Sequence, residues 1–198
     1  MTKDKLEKFQ YFIRSPYLLW ALILLFSFIL QASGWVDAWR YDRSQAEQGA
    51  YWLLLSGNLV HLNWSHWALN MAGLAIVAFF FSAYASLRQW SLVLLISALC
   101  VGLGVSWWNL DIQYYVGLSG VLHGLFIFGA LREIRKYPLS GYVLFCVLLA
   151  KLIWELFNGA LPGSEAITGG RVLTDAHFYG AVGGFVCWVF ITLWSRFR

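Results

Sequence analysis

Long runs without a charged residue are the feature that most constrains how this chain folds. Four such runs extend over 16–36, 56–87, 89–110 and 112–131, and a membrane-spanning helix needs roughly 20 predominantly apolar residues. A soluble domain carries about 25% charged residues. This chain is 12% charged and 60% hydrophobic, so it lacks the polar side chains to cover its surface in water. The pattern indicates a membrane protein.

Two further apolar runs bring the number of predicted helices to six. At about 1.5 Å per residue, helix four is shorter than the roughly 30 Å hydrocarbon core, and we expect a cavity that water could fill above its first residue. The first run is too long for the core of a cleavable signal peptide. We predict an all-α membrane protein, a six-helix bundle forming one transmembrane domain over 1–198, with a tail over 1–15. The helices are placed at about 16–36, 59–82, 89–108, 117–134, 138–158 and 174–195.

Lys and Arg residues indicate the orientation of the bundle. Most of them lie in the N-terminal tail, in the connections after helices two and four, and at the C-terminus. Because basic residues favour the cytoplasmic side, both termini are predicted to be cytoplasmic, and helices two, four and six run from the outer side inward. These flanking residues explain the net charge of +4. We therefore expect contact with membrane lipid and no nucleic-acid partner.

Polar residues stand near the start of the three inward-running helices. Ser119 begins the apolar run of helix four, His66 and Asn70 lie early in helix two, and His177 lies early in helix six. The orientation places all four in the outer part of the bilayer at similar depth. Polar side chains inside a membrane are costly and often functional, so we expect these residues to meet in one site.

The chemistry of these residues suits a serine protease. Ser119 is the candidate nucleophile, and the neutral imidazole of His177 is the candidate base for its proton. The N–H of Ser119 is unpaired at a helix N-terminus and points where an oxyanion would form. His66 and Asn70 lie on one face of helix two, and both can donate toward the same oxygen.

Glycines accompany these side chains on helices four and six. Gly117 and Gly120 flank the serine, so a substrate backbone can approach closely. Gly180 and Gly184 follow His177 along one side of helix six and allow that helix to press against helix four. Each residue also has a structural reading, as a hydrogen-bonding side chain or a packing glycine. The shared depth and the complementary roles favour catalysis.

His123 and His61 are open to more than one interpretation. His123 follows Ser119 by four residues on the same helix face, so it can either compete with His177 as the base or support it. We favour support, because parallel side chains on one helix are poorly placed for proton abstraction. His61 lies close to the outer surface, and we expect it to be structural, bonded to a loop or to water.

Helix five carries a charged pair. Lys151 and Glu155 are four residues apart and are predicted to form a neutralising ion pair; bracing of the substrate entrance is the alternative. Three cysteines, Cys100, Cys146 and Cys187, lie inside predicted helices without metal-site spacing, and we interpret them as small buried apolar residues. With no phosphate-binding loop and no metal motif in the sequence, we expect no cofactor and no metal.

Three motifs together resemble those of the rhomboid intramembrane serine proteases. They are His66-x-x-x-Asn70, Gly117-x-Ser119-Gly120 and Ala176-His177-x-x-Gly180-x-x-x-Gly184, within a resemblance that extends from about Tyr51 to Phe185. The resemblance implies a six-helix rhomboid-like bundle and a Ser119–His177 dyad without an acidic third member. It also implies an oxyanion site formed by His66, Asn70 and the Ser119 N–H, and a lateral gate for substrate at helix five.

Within that family the chain is most similar to the rhombosortase branch. The similarity lies in the compact length, in the sequence from Val60 to His66 and in the sequence from Gly117 to Gly124. In the last of these, His123 replaces the aromatic residue, often Tyr, of many rhomboids. It implies an enzyme of a Gram-negative inner membrane with its site open to the periplasm. The implied substrates are exported single-span proteins with a C-terminal tail of Gly-Gly, a helix and basic residues, which the enzyme removes.

Three other functions remain open at this point. The chain could be a general rhomboid protease of other single-span substrates. A non-catalytic rhomboid-like protein that binds membrane clients is a second possibility, although such proteins lose the serine or the histidine and both are present here. A small transporter or proton channel using the intramembrane histidines is the third. Neither the substrate sequence nor the oligomeric state follows from the chain.

Overall fold

The computed structural model describes residues 15–195, which are mainly helical. Residues 1–14 and 196–198 lie outside the described residues, and with them most of the predicted cytoplasmic tail and the two basic residues of the C-terminus. Six long helices follow one another: α1 (Pro16–Ser33), α2 (Trp64–Phe81), α3 (Leu87–Trp108), α4 (Ser119–Ile134), α5 (Pro138–Asn158) and α6 (Thr174–Trp194).

Within residues 15–195, five helices are long and apolar enough to cross a membrane. They are α1, α2 with its final turn to Tyr84, α3, α5 and α6. The chain is accordingly an integral membrane protein. Helix α4 has 16 residues, about 24 Å at 1.5 Å per residue, so it falls short of the roughly 30 Å hydrocarbon core. That α4 is a sixth span stays a prediction.

Polar residues determine where the helices begin. Asn63 caps α2 by accepting from the backbone N–H of His66 at 2.8 Å, so the regular helix begins at Trp64, five residues after the expected position 59. Gly57–Leu59 forms a separate 3-10 turn before it. Ser86 and Gln89 form a capping box, and α3 therefore begins at Leu87, ahead of the expected start at residue 89.

The connection between α1 and α2 is ordered and joined to the segment before α4. It contains the short helices Val36–Trp39, Arg43–Glu47 and Leu53–Ser56. Strand β1 (Tyr41–Asp42) pairs antiparallel with β2 (Tyr114–Tyr115), a small departure from an all-α fold. The Arg43 guanidinium donates to carbonyl oxygens of Val105, Ser106, Asn109 and Ile112 at the end of α3. These bonds satisfy acceptors that a helix end leaves unpaired.

An aromatic core fills the end of the bundle opposite to α4's first residue. Trp90 is fully buried, with its ring centroid 5.4 Å from Trp20 and 5.1 Å from Phe128 in edge contacts. The indole N–H of Trp20 donates to the Ser82 hydroxyl at 2.8 Å, so the polar edge of that ring is paired inside the apolar core.

Helices α4 and α6 make the closest contact in the bundle. A Cβ atom added at Gly180 would overlap the carbonyl oxygen of Gly120, and one added at Gly184 would overlap that of Gly124. Small residues allow this approach of two backbones within a membrane. The contact fixes the start of α6 against the start of α4.

Helix α5 packs at the periphery, and most of its side chains are exposed. Its buried residues are Gly141, Leu152 and Glu155. Cys146, on the same helix, is exposed, so its prediction as a buried residue was wrong. An apolar thiol facing lipid meets surroundings as apolar as the protein interior, which removes the reason to bury it.

Candidate active site

The candidate residues gather at one end of the bundle because of where their helices start and stop. Ser119 is the first residue of α4. His66 and His177 lie in the first turns of α2 and α6, while Glu155 lies in the last turn of the oppositely directed α5. Four helix ends thus meet around Ser119.

Ser119 and His177 are within hydrogen-bonding distance of each other. The serine Oγ lies 3.0 Å from His177 Nε2. His177 is 5% exposed and Ser119 is half-buried, so the hydroxyl faces an opening while the imidazole does not. This is the distance at which an imidazole can accept the proton of a serine nucleophile.

A constrained turn presents Ser119. Gly117 has a φ of 122°, which a residue with a side chain rarely adopts. Its N–H donates to the Gly57 carbonyl at 3.0 Å, and its own carbonyl accepts from the Tyr115 hydroxyl at 3.0 Å. Burial raises the pKa of Tyr115, so the phenol keeps its proton and remains a donor.

His66 lies against the same turn. Its Nδ1 accepts a hydrogen bond from the Leu62 backbone N–H at 3.4 Å. The proton of the neutral imidazole is therefore on Nε2. A Cβ at Gly117 would come within 2.8 Å of the His66 ring, so only glycine leaves room for the imidazole there. The Nε2–H can donate to an oxygen beside Ser119.

Asn70 lines the same cavity, one turn further along α2. One amide hydrogen of Asn70 donates to the His66 carbonyl at 3.1 Å, within its own helix. Its second N–H is the group that can face an oxyanion.

His123 is bonded at both ring nitrogens. Nδ1 lies 2.7 Å from the Ser119 carbonyl oxygen, and Nε2 lies 2.9 Å from the Lys151 ammonium. Its ring stacks on His177 with centroids 4.2 Å apart and an interplanar angle of 19°. With both nitrogens occupied, His123 has no lone pair directed at the serine hydroxyl. This geometry favours a support over a base, and the role of His123 stays a prediction.

Glu155 contacts His177, a contact that sequence reasoning did not predict. It forms the expected ion pair with Lys151 at 2.7 Å, and the same carboxylate oxygen lies 2.9 Å from His177 Nδ1. The family resemblance implied no acidic third member, and a carboxylate stands in that position. The available signal was a charged pair inside an apolar run, which is costly unless it has a partner or a task.

The histidines and the glutamate also resemble a metal-ligand group. The nearest ligand atoms of His123, Glu155 and His177 lie within 4.8 Å of one another. The Lys151 ammonium already contacts two of these ligand atoms, one on His123 and one on Glu155. A metal ion would have to displace it, so this set of residues fits a lysine cation better than a metal.

His61 is more deeply buried than the sequence indicated. It is fully buried, and within residues 15–195 neither ring nitrogen has a hydrogen-bond partner. Its ring makes an edge contact with His66 at 5.1 Å between centroids. Burial, with a smaller effect of His66, lowers the pKa of His61 to about 3. His61 is therefore neutral and packs beneath His66.

A cavity of about 460 Å³ opens beside Ser119. The connection between α5 and α6 covers it and is tied to the start of α2: Asn63 donates to the Thr168 carbonyl at 2.8 Å and Ser65 to that of Ile167 at 2.6 Å. Besides the site residues, the walls are mainly apolar, and Ser164, Thr168 and Arg171 are the polar exceptions. The apolar and aromatic lining residues are Leu62, Leu69, Ile112, Tyr114, Tyr115, Val116, Leu122, Phe126, Leu161, Val172 and Leu173.

Fold and site together define a class of protein. A serine hydroxyl, an imidazole and a carboxylate stand in sequence at one end of a helical membrane bundle, beside an apolar cavity. This is the arrangement of a hydrolase that uses an activated serine. The Rhomboid domain family model matches residues 48–194. The chain belongs to the rhomboid family, whose members are intramembrane serine proteases. No curated protein matches it.

Proposed function

We propose that this protein is an intramembrane serine endopeptidase in which Ser119 and His177 carry the reaction. The observation that supports this most strongly is the 3.0 Å contact between Ser119 Oγ and His177 Nε2 at the mouth of the cavity. His177 takes the hydroxyl proton as Oγ attacks the scissile carbonyl, and then gives it to the leaving amine. Water repeats the sequence on the acyl-enzyme and releases the second product.

The developing oxyanion is stabilised by three donors. The Ser119 N–H is unpaired within its helix because it stands at the first position of α4. His66 and Asn70 both line the cavity beside Ser119, and each has an N–H that its known hydrogen bonds leave free: Nε2–H of His66 and the second amide hydrogen of Asn70. Removing one donor of such a site typically costs about 10²–10³ in kcat.

The site opens to the outer, periplasmic side. Helix α4 also crosses the membrane, which brings the number of spans to six. Arg88 lies in the first turn of α3, Arg132 in the last turn of α4, and Arg135 and Lys136 directly after α4. All four are at the opposite end of the bundle, which the positive-inside rule assigns to the cytoplasm. Trp35, Trp107 and Trp108 are exposed near the outer helix ends, where interfacial aromatic residues are expected. This orientation suits a bacterial inner membrane with both termini in the cytoplasm.

The proposed substrate is an exported protein with a C-terminal sorting tail of the Gly-Gly type. The basic end of such a tail stays on the cytoplasmic side, so the Gly-Gly sequence stands at the outer end of the substrate helix, at the depth of Ser119. Because glycines have no side chains, a Gly-Gly backbone can approach Ser119 closely. The mainly apolar cavity wall suits an apolar substrate helix.

Co-expression with a substrate of this type tests the proposal. Wild type should release the soluble portion, and Ser119→Ala should leave the substrate intact although the two proteins still associate. A second substrate with Val-Val in place of Gly-Gly should be cut much less. Equal cleavage of both substrates would indicate a general rhomboid protease, and association without cleavage by wild type would indicate a non-catalytic client-binding protein.

A further inference from the structure

We propose that Glu155 is a positioning residue for His177, and that Lys151 and His123 join it in a hydrogen-bonded ring that begins and ends on Ser119. The inference rests on the proposed function, because it assigns a task relative to the Ser119–His177 pair. It adds an acidic third member to a site that otherwise consists of two residues.

The ring consists of five contacts. Ser119 Oγ lies 3.0 Å from His177 Nε2, and His177 Nδ1 lies 2.9 Å from the Glu155 carboxylate. Lys151 Nζ lies 2.7 Å from the same carboxylate oxygen and 2.9 Å from His123 Nε2. His123 Nδ1 closes the ring at the carbonyl oxygen of Ser119, 2.7 Å away.

One assignment of protons satisfies every contact. An ammonium group only donates, so His123 Nε2 accepts from Lys151 and His123 Nδ1–H donates to the Ser119 carbonyl. A carboxylate only accepts, so His177 carries its proton on Nδ1 and leaves the Nε2 lone pair for the serine hydroxyl. This is the tautomer that a serine protease needs, and Glu155 is the group that selects it.

The charges of the ring fit both stages of the reaction. Before reaction, the Lys151 ammonium and the Glu155 carboxylate balance each other, and the two imidazoles are neutral. When Ser119 Oγ forms its bond to the substrate carbonyl carbon, its proton moves to His177 Nε2. The imidazolium then faces the ionised carboxylate across 2.9 Å. The proton passes to the leaving nitrogen when the peptide bond breaks, and Glu155 stays ionised throughout.

Lys151 makes this carboxylate possible inside a membrane. The Glu155 side chain is 4% exposed, and an isolated buried charge is strongly unfavourable. The partially exposed Lys151, one turn earlier on α5, supplies the opposite charge without leaving the helix. An ion pair alone requires no third partner, so the contact with His177 Nδ1 is what distinguishes a positioning role from charge neutralisation.

Five variants, measured beside wild type in proteoliposomes with the tail substrate, test the inference. Glu155→Gln can present its NH₂ group to His177 Nδ1 and so favour the wrong tautomer; we expect kcat to fall by at least about 100-fold with KM changed by less than about threefold. Glu155→Asp keeps the acceptor and should recover part of kcat. The matched control is Glu133→Gln, which removes another buried carboxylate, bonded to Ser140 at the far end of α4. It should leave kcat unchanged.

The double variant Lys151→Met/Glu155→Gln separates the two roles of the pair. It removes both charges, so the folded state should tolerate it, and it carries the test if Glu155→Gln alone does not fold. A folded double variant with low kcat supports the inference. Wild-type kcat in the double variant, or in Glu155→Gln, would overturn it. Ser119→Ala is measured in parallel. If Ser119→Ala still cleaves the substrate, the proposed function itself fails. If Ser119→Ala is inactive and Glu155→Gln is fully active, only the inference about the hydrogen-bonded ring is rejected.

Discussion

Helix α4 meets α6 and α5 in different ways. Against α6 the contact is backbone to backbone at Gly120 and Gly124, with no space for a single added carbon atom. Against α5 the contact at the level of the site passes through polar side chains, and α5 exposes most of its surface. Packing therefore positions α6 against α4, whereas hydrogen bonds position α5 at the level of the site.

The difference assigns a separate cause to each part of the site. The nucleophile and the base sit on α4 and α6, so their separation follows from the glycine contact. The carboxylate sits on α5, so its contact with His177 depends on Lys151 and His123. A substitution in the glycine contact should impair both folding and catalysis. A substitution in the hydrogen-bonded ring should slow catalysis and leave the fold intact.

The largest effect is expected for Gly184→Leu. The new side chain would collide with the Gly124 carbonyl and force α6 away from α4. We expect no folded, active protein, measured by size-exclusion chromatography and thermal unfolding in detergent. Gly73→Ala is the matched control, because its Cβ would meet only the flexible end of Leu122, 2.8 Å away. Folded Gly184→Leu with normal cleavage would refute the packing account.

A smaller but purely kinetic effect is expected for the two stacked histidines. His177→Ala removes the base and should lower kcat by at least about 10³-fold. His123→Phe keeps an aromatic side chain beside His177, but it removes the two hydrogen bonds by which His123 joins Ser119 and Lys151. We expect His123→Phe to retain part of the activity, with both variants folded by circular dichroism. The opposite ranking would make His123 the base.

Leu152→Ala should have the smallest effect. Leu152 is the main buried apolar residue of α5 and packs in a cluster with Ile127, Leu131 and Ala181. Because lipid is as apolar as leucine, we expect a loss below the about 2–5 kcal/mol seen in soluble cores, measured by unfolding in mixed micelles. Cleavage should stay within about threefold of wild type. If Leu152→Ala lowered kcat as much as Glu155→Gln does, apolar packing rather than the hydrogen-bonded ring would position α5.

Part of this structure could be predicted because its signals are local. The apolar runs predicted the long helices, and the motif around Ser119 placed it at the start of α4. The shared depth of Ser119 and His177 followed from helix direction, and the two side chains do lie in contact. The start of α2 was misplaced because an apolar stretch does not reveal which polar residue caps the helix. In the structure, Asn63 is the capping residue.

The remainder depends on how helices rotate and cross, which the sequence does not display. Glu155 reaches His177 because the last turn of α5 turns its buried face toward α6. A helical period identifies Lys151 as the neighbour of Glu155 on one helix, but not a partner on another. The pairing of Tyr41 with Tyr115 was missed for a similar reason, since two-residue strands are too short to show alternation.

Labelling with a fluorophosphonate probe, followed by mass spectrometry of the modified peptide, tests the central claim most directly. The probe reacts with a serine only when a base activates it. The account predicts labelling at Ser119 in wild type, none in Ser119→Ala and much slower labelling in His177→Ala. Labelling at another residue, or unchanged labelling of Ser119→Ala, would contradict it.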